Sequence, residues 1–144
     1  MIKKDFDGKN VINGTHGYTL LDGEYVHEIT GGKIGYKTNR EDLQFCGDME
    51  TDTKLIGITG EFTIKGKKVR SREKSIVESF ASGTDPRSTI TMNLTDPDAL
   101  GNVSVTIFNC WFNDPTALEF ESGKTMDFEL SGGFKGLKYN DYIV

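Results

Sequence analysis

A chain of 144 residues, 35% hydrophobic and 27% charged, can build one continuous core without disulfide or metal staples, so a single domain over 1–144 is the starting expectation. Its net charge of −5 and pI of about 5.0 work against tight nucleic-acid binding, which depends on Lys and Arg neutralising phosphates. No stretch approaches the roughly 18 apolar residues of a membrane span, the first residues carry no apolar signal segment, and 17 glycines against 3 prolines favour the turns and bulges of β structure.

In chain order, the first signal is a hairpin: Tyr18–Leu21 and Glu24–Ile29 flank Asp22–Gly23, a pair suited to a two-residue turn, and the second arm runs on to about Lys37. Thr38 to Thr53 then breaks every period. It carries Glu41, Asp42, Asp48, Glu50 and Asp52 with Phe45 and Met49, and reads as a long loop of a length that is usually functional. Lys54 to Lys65 is the clearest strand, with Ile56, Ile58, Phe62 and Ile64 on one face and Thr59, Glu61, Thr63 and Lys65 on the other. The basic run Lys65–Arg72 lacks the interleaved aromatics that stack on bases; it reads as a solvated strand end and helix start, or as a contact with an acidic patch on another subunit.

Ser71 to Ser82 is the one helical stretch, with Ile76, Val77 and Phe80 on a face and Gly83 at the C-terminal cap. Ser88–Thr95 alternates again, as does Asn102–Phe112, where Val103, Val105, Ile107 and Trp111 oppose Ser104, Thr106, Phe108 and Phe112. Thr125–Phe134 points Met126, Phe128 and Leu130 inward, and Gly132–Gly133 suggests a bulge in a long bent strand. Phe108, Trp111, Phe112, Phe120 and Phe128 are expected in the core. The pattern is mainly β with one short helix.

Candidate chemistry is sparse. His16 and His27 stand apart from any partner motif, so no catalytic residue is assigned and no enzyme is expected. The run Asp48–Asp52 has the density of a calcium loop, but Thr53 and Thr59 stand where such a loop needs Gly and Glu, so neither a metal nor a cofactor is expected. Phosphate-loop, nucleophile-elbow and paired-cysteine zinc motifs are missing from the sequence, and Cys46 and Cys110 read as free thiols.

Several phrases occur in a telling order: Val11-Ile12-Asn13-Gly14-Thr15-His16-Gly17 before Leu21-Asp22-Gly23-Glu24; Gly47 to Gly57 leading into a long strand; the helix with its exit Gly83-Thr84-Asp85-Pro86; Leu94-Thr95-Asp96-Pro97-Asp98; and a closing Met126-Asp127-Phe128 strand. From Val11 to Phe134 this succession resembles the tail tube proteins of contractile phages and phage-like particles, the family that includes the core tube proteins of defective prophages and R-type bacteriocins. Residues 1–10 and 137–144 fall outside it, as terminal arms.

The resemblance implies a β-sandwich of antiparallel sheets with a flanking helix. Six copies would close into a ring whose inner sheets join as one barrel, and rings would stack into a tube that delivers genome or cargo across a host envelope. Its implied partners are other copies of itself, a tail sheath, tape-measure and baseplate proteins, and DNA that passes without specific binding; the subunit itself inserts into no membrane. The implied location is the tail of a particle, assembled in the host cytoplasm. Within this reading, Glu61, Asp127 and Glu129 are lumen candidates that would make a carboxylate-rich wall, and Glu41, Asp42, Phe45, Asp48, Met49, Glu50 and Asp52 would contact an adjacent subunit or ring. The alternatives are a monomeric ligand-binding sandwich of carbohydrate-binding type, or the tube subunit of a type VI secretion system or non-contractile tail.

Overall fold

The computed structural model describes Asp5 and residues 7–144. Among these residues, two short 3-10 turns (Gly8–Asn10 and Gly14–His16) lead into eight antiparallel strands: β1 (Gly17–Leu21), β2 (Glu24–Val26), β3 (Ile29–Leu43), β4 (Asp52–Lys67), β5 (Ser88–Leu94), β6 (Val103–Asn113), β7 (Asp127–Phe134) and β8 (Leu137–Asp141), with one α-helix, α1 (Lys74–Ala81), between β4 and β5. Their order is β2-β1-β5-β6-β7-β4-β3, with β8 also on β6. Strand β6 is the hinge of the sandwich. Its first half pairs with β5 and β8, and its end pairs with β7.

The core lies between the two halves. Val26, Ile90 and Ile107 come from one side, Phe62, Ile64, Phe128, Leu130 and Phe134 from the other, and α1 adds Ile76. The helix is shorter than expected and buries only Ile76; its end matches the sequence reading, since Gly83 has φ +82° and Thr84 N–H donates to the Ser79 carbonyl.

Local periodicity misleads at several places. Thr38 to Thr53 is not a long loop: β3 runs to Leu43 and β4 starts at Asp52, leaving only residues 44–51 as the turn. Both faces of that stretch meet water, so alternation disappears while backbone pairing continues. In β6, Asn109 takes φ +53° where two residues oppose one on β5, and this bulge exchanges the faces. Cys110 and Phe112 therefore turn inward while Phe108 is exposed, and Trp111 lies half-buried with Arg87 over its ring. Phe120 is not a core residue; it sits 80% exposed on the loop before β7.

The Gly132–Gly133 pair makes no bulge, because the register of β7 with both β4 and β6 is continuous there. Its purpose is closeness: a Cβ on Gly132 would stand 1.9 Å from the Trp111 carbonyl oxygen, and one on Gly133 would meet the Trp111 ring. Of the expected C-terminal arm, Leu137–Asp141 is strand β8, paired with β6 and packed on the core through Leu137, and only residues 142–144 extend past it. Of the expected N-terminal arm, 1–4 and Phe6 lie outside the described residues, while the Asn10 side chain donates to the Asp98 carbonyl. Cys46 and Cys110 are both free; burial pushes the Cys110 thiol up to about 12.

Replacing Gly132 with Ala should force β6 and β7 apart and cost about 3 kcal/mol or more, read as a fall in the thermal midpoint of the purified chain. Ala at Gly8, whose Cβ position is open space, is the matched control and should leave the midpoint within about 0.5 kcal/mol.

Candidate functional site

The β3–β4 hairpin outgrows the sandwich. Strand β7 leaves β4 at the pair Gly60↔Phe134, and beyond it β3 and β4 have only each other. The free part reaches about 25 Å at ~3.3 Å per residue. It begins where Tyr36 packs edge-on against Phe134, with ring centroids 5.1 Å apart.

One face of this arm is apolar without cover. Ile58 continues the side of β4 that buries Phe62 and Ile64, yet it is 56% exposed, and Ile56, displaced by the irregularity opposite Asn39 and Arg40, is 66% exposed. Leu55 follows them, also in water. The periodicity put Ile56 and Ile58 with Phe62 and Ile64; Ile58 keeps that face, and among the described residues nothing covers it there.

All seven residues expected at a contact loop gather at the end of the arm. Glu41 and Asp42 close β3, Asp52 opens β4, and Phe45, Asp48, Met49 and Glu50 form the turn between them. The turn is built locally: Gly47 takes φ +86°, the Asp48 N–H donates to the Phe45 carbonyl, and the Asp48 carboxylate accepts from the Glu50 N–H at 3.0 Å. This geometry leaves Met49 97% exposed and Phe45 61% exposed. None of the five carboxylates makes an ion pair among the described residues.

Glu61, Asp127 and Glu129 do share one face, the outer side of β3, β4 and β7, and all are exposed. The same alternation puts Lys33, Lys37, Lys65 and Lys67 there. Lys65 stands opposite Glu129, and Lys67 reaches Asp127 at 2.6 Å. The face is therefore mixed in charge and not carboxylate-rich. Sequence reasoning missed the lysines of β3 because that strand, with Gly31, Gly32 and Gly35, shows no apolar alternation to number its faces.

Two clusters lock the frame behind these surfaces. Arg72 donates from Nε and Nη2 to the two oxygens of Glu28, both side chains largely buried, tying the turn before β3 to the approach to α1; Lys68 pairs with Glu73 next to it. The Arg72 hydrogen bonds hold the Glu28 carboxyl below its ordinary range and raise Arg72 in turn. Asp96 accepts from the N–H groups of Asp98 and Asn13 at 3.0 and 2.8 Å, which holds its carboxyl low and clasps the N-terminal segment; His16 Nε2 lies 3.9 Å away. His27 stacks on Tyr25. Each histidine thus has a structural setting.

The family model described as phage tail tube protein matches residues 4–141 of the chain. No curated protein matches it by sequence. Among solved structures, the fold is similar to a chain of the anti-feeding prophage tube-terminating cap, with TM-score 0.68 and 12% identity over 96% of this chain and 97% of that one. It is similar to a chain of the PVC sheath-tube complex, an extracellular contractile injection system in its extended state, with TM-score 0.65 and 11% identity over 91% and 92%. A third likeness is to the tail of an empty gene transfer agent particle of C6 symmetry, with TM-score 0.51 and 16% identity over 90% and 98%. At these identities the likeness concerns the fold.

Removing one partner of the Glu28–Arg72 pair should be costly: Arg72→Met is expected to lose about 2–3 kcal/mol by denaturant titration at neutral pH. Glu28 has a folded-state pKa below its ordinary 4.5, so its stabilisation is complete above that value and disappears as pH falls through the lowered one. Acid titration of Glu28→Gln should accordingly show a flatter loss of stability below about pH 4.5 than the parent chain.

Proposed function

The chain belongs to the phage tail tube protein family and is a structural subunit of a tail tube, and we propose that it works as stacked hexameric rings around a lumen that conducts genome or cargo. The observation that carries this reading is the arm. A two-stranded ribbon standing alone in water is marginal at best, and this one also exposes Leu55, Ile56, Ile58, Phe45 and Met49. Such a surface becomes favourable once another copy covers it, at roughly 25 cal/mol per Å² of apolar area removed from water. The contact role of Glu41, Asp42, Phe45, Asp48, Met49, Glu50 and Asp52 follows from their position at its end.

The outer face of β3, β4 and β7 is the surface we assign to the lumen, with Glu61, Asp127 and Glu129 on it. Strands wet on one side suit a wall, and joining edges between copies removes the open edges of β3 and β2 that invite aggregation. Lysines opposite Asp127 and Glu129, with Lys33 and Lys37 on the strand next to Glu61, make the wall mixed in charge along the strands. Phosphates sliding past would meet attraction and repulsion at short intervals, with no continuous basic track to bind. This fits passage without specific binding and a role that needs no catalysis.

The assembly reading also carries the partners: a sheath around the tube, as in the contractile systems that share the fold, with baseplate and tape-measure proteins at its end and centre. Assembly takes place in the host cytoplasm, and the product resides in the particle tail.

Negative-stain electron microscopy across a concentration series, with sizing chromatography, should show rings or hollow tubes. Ile56→Asp with Ile58→Asp should leave the folding midpoint within about 0.5 kcal/mol, since both side chains are already in water, yet abolish the assemblies. A chain that stays monomeric at every concentration, and also when offered preformed tube ends, would overturn the proposal.

A further inference from the structure

The segment that leads into β1 is fastened to the body by very few bonds. Its two 3-10 turns are closed from within: Asp7 and Asn10 cap each other across the first, and the Asn13 side chain accepts from the Thr15 N–H in the second. Neither turn buries a residue, Val11 between them is 67% exposed, and Ile12 is only half-buried. Residues 7–16 thus bring their own local hydrogen bonds and almost no apolar contact to hold them down.

Among the described residues, the hydrogen bonds that tie this segment to the rest of the chain converge on the turn after β5. The Asp96 carboxylate, 6% exposed, accepts from the Asn13 N–H at 2.8 Å with one oxygen and from the Asp98 N–H at 3.0 Å with the other. Asn10 donates to the Asp98 carbonyl at 3.1 Å, and His16 Nε2 stands 3.9 Å from the same carboxylate. The N–H groups of Asp98 and Asn13, and after them His16, hold Asp96 below the ordinary carboxylate range, so it stays ionised at neutral pH. One largely buried carboxylate is therefore the point from which the segment hangs.

Beneath it the surface is apolar. Between β3 on one sheet and β1, β5 and β6 on the other lies a cleft of about 580 Å³, lined by Ile29, Ile34, Met92, Leu94, Val103 and Val105, all of them only partly buried. Gly14 and Thr15 of the second turn belong to its wall. The chain enters β1 directly against this lining, since a Cβ on Gly17 would stand 3.1 Å from Leu94 Cδ2.

We propose that residues 7–16 are a strap latched by Asp96, which opens and closes as a unit while the sandwich stays folded, and whose opening uncovers the cleft between the sheets. The physical ground is a contrast in holding force. Two hydrogen bonds and one long charge contact hold the strap, whereas ladder bonds and fully buried side chains such as Ile64, Ile90 and Ile107 hold the strands behind it. A segment with so few buried contacts opens at a fraction of the cost of global unfolding. The device belongs to the single chain, so it stands apart from the tube reading.

Hydrogen exchange followed amide by amide is the test, with tryptic cleavage after Lys9 and the fluorescence of anilinonaphthalene sulfonate as second and third readouts. In the parent chain the Asn13 amide should exchange about a hundredfold or more faster than those of Ile64 and Ile107. Asp96→Asn keeps the shape and removes the charge; it should speed Asn13 exchange and Lys9 cleavage about tenfold or more, leave Ile64 and Ile107 unchanged, and raise the dye's emission. Asn13 and Ile64 exchanging at one rate in the parent would mean that the segment opens only with the whole fold. An unchanged Asn13 rate in Asp96→Asn would mean that Asp96 is no latch, and faster exchange without added emission that the strap covers no cleft. Each of these results overturns the inference, and the first needs no variant.

Discussion

The β3–β4 ladder is the interaction on which the rest of this structure depends. It runs from Ile29↔Gly66 to Leu43↔Asp52, with irregular steps only beside Ile29 and Asn39. Over its inner half the ladder is one wall of the sandwich, sealed by Phe62 and Ile64. Over its outer half it has no core, and only backbone hydrogen bonds and cross-strand neighbours hold it in register. The same strand is thus a core element at one end and an uncovered ribbon at the other.

That division explains where the tight packing is. Gly60 and Gly66 leave room for the rings of Phe134 and Phe128, and Gly132 lets β6 and β7 approach until a single extra carbon would collide with the backbone. These contacts brace the root of the arm. The Glu28–Arg72 and Lys68–Glu73 pairs brace the opposite end, where β4 hands over to α1. The braced part of β4 thus lies between Gly60 and Lys67, and the ribbon beyond it is held by its own ladder alone.

Charge is distributed along the same axis. The tip crowds five carboxylates, with Arg40 and Lys54 on the strands behind them, whereas near α1 lysines and arginines are interleaved with Glu28, Glu73 and Asp127, and the wet face between the two ends alternates in sign. The polar faces of the long strands, read within the resemblance, suggested a carboxylate-rich lumen wall. The cross-strand register replaced that picture with a face of mixed sign, Lys65 opposite Glu129 and Lys67 opposite Asp127, because sign on a sheet face is decided by which strands lie side by side and not by the total on the chain.

Much of the molecule was legible in the sequence because the determinants are local. Asp22–Gly23 turns the first hairpin with φ +51° and +85°, Gly83 caps α1 in the left-handed region, and alternation marks β5 and the inner half of β4. The contact residues from Glu41 to Asp52 could be grouped because they crowd one short stretch. Other features belong to the tertiary structure alone. Ile58 and Phe62 have the same pattern and the same side of one strand, but only Phe62 meets β6 and its Phe112 ring. The length of the arm, the exchange of faces at Asn109 and the lysines beside Glu61 and Glu129 likewise depend on pairing between residues far apart in the chain. Periodicity assigns a side chain to a face; only the neighbouring strands determine whether that face is core, lumen or a surface kept for another copy.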